Sequence, residues 1–211
     1  MRKTIVCFGD SNTWGYDAQH DCRFPENIRW TGILRNLLGR NFKIIEEGLS
    51  GRTSVMDDPL FEGLNGLTYI GPCLLSHSPI ELVVIMLGTN DTKERFALTS
   101  YNIAQGISRV AKKAKLTMTG IDKGYPKVLV ISPPIIGSSY RHTAIGEAMG
   151  ERCAEKSAKL AEYLELMLKE EEIHFLNAAM IPMNEIDYMH LDEEGHKLLA
   201  QIVFNKLNDI L

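Results

Sequence analysis

Five short apolar runs, rich in β-branched residues, punctuate the 211-residue chain at residues 4–8, 42–45, 82–87, 128–131 and 173–176. Those in "ELVVIMLG" and "KVLVIS" are almost unbroken, the pattern of strands covered on both faces of a parallel sheet. Between the runs the spacing changes to a helical period. "NIRWTGILRNLLGR" places Trp30, Ile33, Leu34, Leu37 and Leu38 on one stripe and predicts a helix that stops at Gly39. "YNIAQGISRVAKKAKL" is amphipathic and gathers its lysines late, where they complement the helix dipole. Residues 143–172 read as one long helical stretch with a charged solvent face. Asp192 is a candidate N-cap for a last helix in "EEGHKLLAQIVFNKL". Strand and helix alternate throughout. The expected fold is therefore a doubly wound, flavodoxin-like three-layer α/β/α sandwich around a five-stranded parallel sheet. Residues 52–79 and 133–142 read as long irregular loops of the kind that line a site. No repeat or linker divides residues 1–211, so one domain is expected.

Composition narrows the function classes. Hydrophobic residues make up 45% and charged residues 24%, an ordinary globular balance. A net charge of −4 leaves no basic surplus to neutralise phosphates and argues against a nucleic-acid partner. No apolar stretch approaches the roughly 20 residues that cross a bilayer. The start, "MRKTIVCFGD", is basic, but its apolar run is too short for a signal peptide and reads as the first strand. A cytoplasmic protein is expected. Cys7, Cys22, Cys73 and Cys153 are scattered without a C-x-x-C pair, which suits reduced thiols; no metal and no cofactor are expected.

Ligands of open α/β sheets sit at the carboxyl ends of the strands. Gly9-Asp10-Ser11-Asn12 follows the first strand, "EEGLSGRTS" the second and Gly88-Thr89-Asn90-Asp91 the third; "IDYMHLDEEGH" comes after the fifth. A hydroxyl, a glycine turn with a free N–H, a carboxamide and an Asp/His pair thus meet at one edge. Acyl transfer needs these groups. A serine hydroxyl is a poor nucleophile until a base takes its proton. Histidine, with an ordinary pKa of about 6.5, takes and returns a proton near neutrality. A carboxylate on the second ring nitrogen fixes the tautomer. Donors aimed at the developing oxyanion are each worth about 3 kcal/mol.

The four blocks, in this order, resemble those of the SGNH (GDSL) hydrolase family. "CFGDSNTWG", "RWTG", "IEEGLSGRTS", "DDP", "VIMLGTNDTK" and "PKVLVISPP" are similar to its small bacterial arylesterase/acyltransferase branch. The resemblance implies Ser11 as nucleophile, His190 as base and Asp187 as the acid that orients it. It also implies an oxyanion hole from the N–H groups of Ser11 and Gly51 and the side chain of Asn90. The expected activity is hydrolysis of small aryl or short-chain acyl esters through an acyl-enzyme, with acyl transfer to alcohols or peroxide. The partner is then a small-molecule ester, and the branch implies a homo-oligomer. The family tetrad ends in leucine where this chain has Asn12, a position after the nucleophile. Gly48 competes with Gly51; the Arg52-Thr53-Ser54 run that follows favours Gly51.

Each residue also has a plainer explanation. Ser11, Asn90 and Asp91 could cap helices; Asp91 is assigned a structural role. His20, His77, His142 and His174 are read as loop or surface residues, and His196 as a packing or surface residue of the last helix. Asp192 rivals Asp187 but suits a cap. Trp14 is a candidate wall of the substrate pocket. Two other classes stay open. Asp10, Asn90, Asp91 and His190 superficially suit a metal-dependent phosphoesterase, although the Asp-x-His pair and extra histidines are missing. A non-catalytic, flavodoxin-like binding module is the other, although the chain lacks a phosphate-cradling G-x-x-x-x-G-K loop.

Overall fold

The computed structural model describes residues 2–211. All five apolar runs are strands of one sheet: β1 (Lys3–Gly9), β4 (Phe42–Gly48), β5 (Leu82–Met86), β6 (Lys127–Ser132) and β7 (His174–Asn177). The order is β4-β1-β5-β6-β7 and every pairing is parallel. A two-stranded antiparallel pair, β2 (Tyr16–Asp17) and β3 (Cys22–Arg23), stands apart from it. Alternation along β1 and β5 divides the core. Val6, Phe8, Val83 and Ile85 enter one buried cluster, and Ile5, Cys7, Leu82, Val84 and Met86 enter the other. A strand covered on both sides needs apolar residues at every position, hence the unbroken runs.

Helices α3 (Gly66–His77), α4 (Ser100–Lys115) and α7 (Leu160–Glu170) cover the first face. Helices α2 (Trp30–Leu38) and α8 (Glu193–Asn208) cover the second. The three-layer sandwich is as expected. Asp192 does cap α8, accepting from the Gly195 N–H at 2.7 Å.

Two expectations require correction. Residues 52–79 are not one loop, because α3 occupies their second half, capped by Asn65. Gly66, Gly71 and Pro72 are poor helix formers, and α3 exposes Tyr69 and Leu75 beside its buried Ile70 and Leu74, so no clean stripe marks it. Residues 143–172 are not one helix but three: α5 (Gly146–Met149), α6 (Cys153–Ala158) and α7. Gly150 adopts φ +86° at the first break, a conformation that ends a helix. The periodic spacing persists across these breaks and therefore hides them.

The chain leaves β1 outward to the edge strand β4 and returns to β5 on the other side of β1. The reversal opens a crevice at the carboxyl ends of β1 and β5, where doubly wound sheets bind ligands. The short helix α1 (Ser11–Trp14) lies there, pressed against β4 at Gly48. A Cβ on Gly48 would come within 2.2 Å of the Trp14 backbone nitrogen. Gly48→Ala must therefore displace α1, at a cost of about 1–3 kcal/mol. Urea unfolding should show this loss; an unchanged midpoint would contradict the close approach.

Candidate active site

β1 ends at Gly9, and the Asp10 carboxylate accepts the Asn12 N–H at 3.0 Å, fixing the turn that carries Ser11. From Ser11 a chain of hydrogen bonds reaches residues near the other end of the sequence. Ser11 Oγ lies 2.9 Å from His190 Nε2, and His190 Nδ1 lies 2.6 Å from Asp187 Oδ2. All three residues are buried. Burial pushes the Asp187 carboxyl upward. The His190 hydrogen bond and charge, the Met189 N–H and the Asn184 amide outweigh it and hold the group below the ordinary aspartate value. An ionised carboxylate only accepts, so His190 Nδ1 donates to it and Nε2 is left to accept from the Ser11 hydroxyl.

The loop bearing the imidazole is closed upon itself. Asn184 Nδ2 donates to Asp187 Oδ1 at 3.0 Å and to the His190 carbonyl at 2.9 Å. Asn184 Oδ1 accepts the N–H groups of Ile186 and Asp187 at 2.7 and 2.8 Å. Tyr188, between Asp187 and His190, is held at φ +61°, an unusual conformation for a bulky residue. Asn12 joins this loop to the serine turn. Its Nδ2 donates to the Met189 carbonyl at 3.1 Å and its Oδ1 accepts the Leu191 N–H at 2.9 Å, one bond on either side of His190. The Tyr16 ring packs on the imidazole, centroids 4.6 Å apart.

The expected donors gather opposite. The carboxamide nitrogen of Asn90 is buried without a protein partner. Among the described residues, the backbone N–H groups of Ser11 and Gly51 also donate to no protein acceptor. Gly51 holds φ +86°, and Asp91 pins the loop behind it by accepting the Ser54 N–H at 2.9 Å and the Ser54 hydroxyl. Asp91 is thus structural. Gly51 lines the same cavity as Ser11, whereas Gly48 is consumed in packing against α1.

That cavity measures about 670 Å³ and joins Ser11, Gly51, Asn90 and His190 to an apolar wall that includes Leu64, Ile145, Met149 and Met189. Leu60 and Phe61 line it while remaining 68% and 59% exposed. Lys93 and Arg95 also line it; both are paired with the buried Asp58, at 3.8 and 2.6 Å. Burial, and then the Arg95 charge, pull the Lys93 ammonium below its ordinary pKa.

Other candidates lie elsewhere. Trp14 does not line the cavity: it stands under the Arg23 guanidinium, 5.3 Å from the ring centroid, and Tyr16 faces the cavity instead. Asp-x-x-His spacing does not single out His190, because Asp17 and His20 share it and pair at 2.7 Å. In that second pair Asp17 is buried, but the imidazole is 65% exposed and meets no serine. His196 is packed in the core, its Nδ1 accepting the Trp30 N–H at 3.3 Å. Asp10, Asp91 and His190 do not converge as a metal cluster would; among the described residues such a cluster occurs at Glu47, Cys73 and His77. Sequence reasoning missed Asn184, Tyr16 and the clamp made by Asn12. An asparagine placed so as to cap a tight turn before Asp187 was the available signal for the first.

The sequence pattern of the GDSL-like lipase/acylhydrolase family matches residues 7–198. No curated protein sequence matches the chain. Among solved structures, an aryl esterase of M. smegmatis is 36% identical with a TM-score of 0.88, over 99% of this chain and 100% of that one. Est24, a carbohydrate acetylesterase from Sinorhizobium meliloti, is 36% identical with a TM-score of 0.90, over all of both chains.

Burial raises the Asp10 and Asp91 carboxyls to about 6, against the bonds from Asn12 and Ser54. Both therefore hold protons more tightly folded than unfolded. Between the ordinary value of 3.8 and about 6 the folded chain binds more protons, so this contribution to stability falls as pH rises. Asp187, with its lowered value, acts in the opposite sense below that window. Asp91→Asn should flatten the decline, whatever its offset in stability, in urea midpoints taken across the window. An unchanged slope would contradict it.

Proposed function

The chain belongs to the GDSL-like lipase/acylhydrolase family and is a carboxylic ester hydrolase; on that premise we propose that Ser11 is its nucleophile, His190 its general base and acid, and Asp187 the carboxylate that orients His190. The continuous chain from Asp187 through His190 to Ser11, facing the unpartnered Asn90 amide, carries this proposal. Ser11 Oγ bonds to the ester carbonyl carbon as its proton passes to His190 Nε2. The Asp187 carboxylate steadies the imidazolium. The N–H groups of Ser11 and Gly51 and Asn90 Nδ2 receive the oxyanion, and, being held by folded loops, need little reorganisation to do so. The tetrahedral intermediate then expels the alcohol, which takes the proton from His190. An acyl group remains on Ser11. Water, activated in turn by His190, releases it as the acid; another alcohol or peroxide in the water's place gives acyl transfer.

The proposed substrates are small aryl or short-chain acyl esters. The largely apolar 670 Å³ cavity is large enough for them, and the aryl esterase and carbohydrate acetylesterase among the similar structures accord with this class. Asn12 serves as a positioning residue, bonding to the chain on both sides of the base.

Ser11→Ala should lower kcat by at least about 10³-fold with unfolding unchanged. A fluorophosphonate should label Ser11 of the native chain and leave the variant unlabelled, as intact-mass spectrometry would show. Undiminished turnover or labelling elsewhere would end the proposal. Asn12→Leu, which restores the family tetrad, should instead lower kcat about ten- to a hundredfold at nearly constant KM, because it loosens the base and not the cavity. A rise in KM alone would contradict the positioning role.

A further inference from the structure

Glu47, Cys73 and His77 lie outside the cavity that holds Ser11, and one ligand atom of each falls within 4.8 Å of the others. Glu47 is near the end of β4. Cys73 and His77 stand four residues apart on α3 and so share one face of the helix. Tyr69, one turn earlier, brings its hydroxyl to 3.5 Å from Glu47 Oε2, so the stripe Tyr69–Cys73–His77 looks onto the carboxylate. His77 Nε2 is 2.7 Å from Glu47 Oε1. Cys73 is buried, whereas the His77 and Glu47 side chains keep 28% and 19% of their surface, leaving a way in from solvent.

We propose that Glu47, Cys73 and His77 bind a single divalent transition-metal ion, zinc above others, with water as fourth ligand. The reasons are chemical and geometric. An imidazole nitrogen, a sulfur and a carboxylate oxygen form a borderline-soft set that suits zinc and does not suit magnesium or calcium, which take oxygen. Zinc bonds of about 2.0–2.3 Å at tetrahedral angles separate ligand atoms by roughly 3.3–3.5 Å. The nitrogen and oxygen now at 2.7 Å must therefore part by less than about 1 Å, and the sulfur must close from within 4.8 Å. Two ligands one turn apart on a formed helix cost little to arrange, and both movements are within the reach of side chains.

Charge is accounted for as well. A thiol free of metal is protonated near neutrality, so Cys73 enters the reaction with its proton. Zinc replaces that proton: the S–H bond breaks, the S–Zn bond forms and the proton goes to solvent. The ion, thiolate and carboxylate together are neutral. Arg52, the cation whose charge acts on Cys73, is engaged elsewhere. Its Nη1 donates to the carbonyls of Gly9, at 2.9 Å, and Glu47, and its guanidinium lies 4.1 Å from the Phe8 ring centroid. It takes up no ligand atom, and its charge favours the thiolate.

Cobalt(II) is the probe for this site, added to the chelator-treated full chain. Saturation at one equivalent is expected, with a thiolate-to-cobalt charge-transfer band, the visible bands of four-coordinate cobalt, and displacement of both by zinc. Cys73→Ser should abolish the charge-transfer band. His77→Gln, which keeps a polar partner for Glu47, should weaken binding, and zinc should raise the Tm of the native chain but not of this variant. No saturable binding to the native chain would overturn the proposal. A charge-transfer band that persists in Cys73→Ser would do so too, since the ion would then sit at another thiol such as the exposed Cys22. Neither result bears on Ser11, so this inference and the proposed ester chemistry fail separately.

Discussion

Two hydrogen bonds of a single carboxamide hold the first strand's turn to the loop before the last helix. Asn12 donates to Met189 and accepts from Leu191, so the imidazole between them is set against the hydroxyl of Ser11, the residue just before Asn12. An ordinary hydrogen bond contributes about 1 kcal/mol, but a buried carboxamide left unpaired costs more than that. The contact therefore resists slippage in either direction. Everything proposed about proton transfer presupposes it, because base and nucleophile come from opposite ends of the chain.

The surrounding polar groups serve the same constraint. Asn184 folds the loop of residues 184–190 onto itself, Asp91 ties Ser54 to the turn after β5, and Asp10 fixes the turn after β1. Each is a buried carboxylate or amide whose partners are mainly backbone N–H and carbonyl groups of loops. Loops have no ladder to hold them, so side chains supply the bonds that a sheet would provide. Burial makes two of these carboxylates reluctant to ionise, which links the pH response of the fold to the rigidity of its site.

The cavity and the Glu47–Cys73–His77 cluster share a second feature. Each uses a helix that the chain's hydrophobic pattern obscures: α5 supplies Ala148 and Met149 to the cavity wall, and α3 supplies Cys73 and His77. Gly150 in the first case, and Gly71 with Pro72 in the second, interrupt the regularity by which a helix is recognised. Segments that build sites depart from ideal spacing because they answer to a ligand or to a neighbouring loop as well as to the core.

Local order in the sequence determined the sheet, the capped last helix and the blocks that follow β1, β4 and β5, since strand burial and capping act over a few residues and leave periodic marks. The same order ranked Ser11, Asp187 and His190 as candidates, yet the Asp-x-x-His spacing alone could not prefer His190 to His20. Tertiary structure decided that choice, by burying one imidazole beside a hydroxyl and leaving the other in water. It also turned Trp14 away and brought Tyr16 inward, gave Asn12 its two bonds, and set Glu47 beside a cysteine and a histidine of α3. Those outcomes depend on contacts between distant segments, and such contacts have no period to read along the chain.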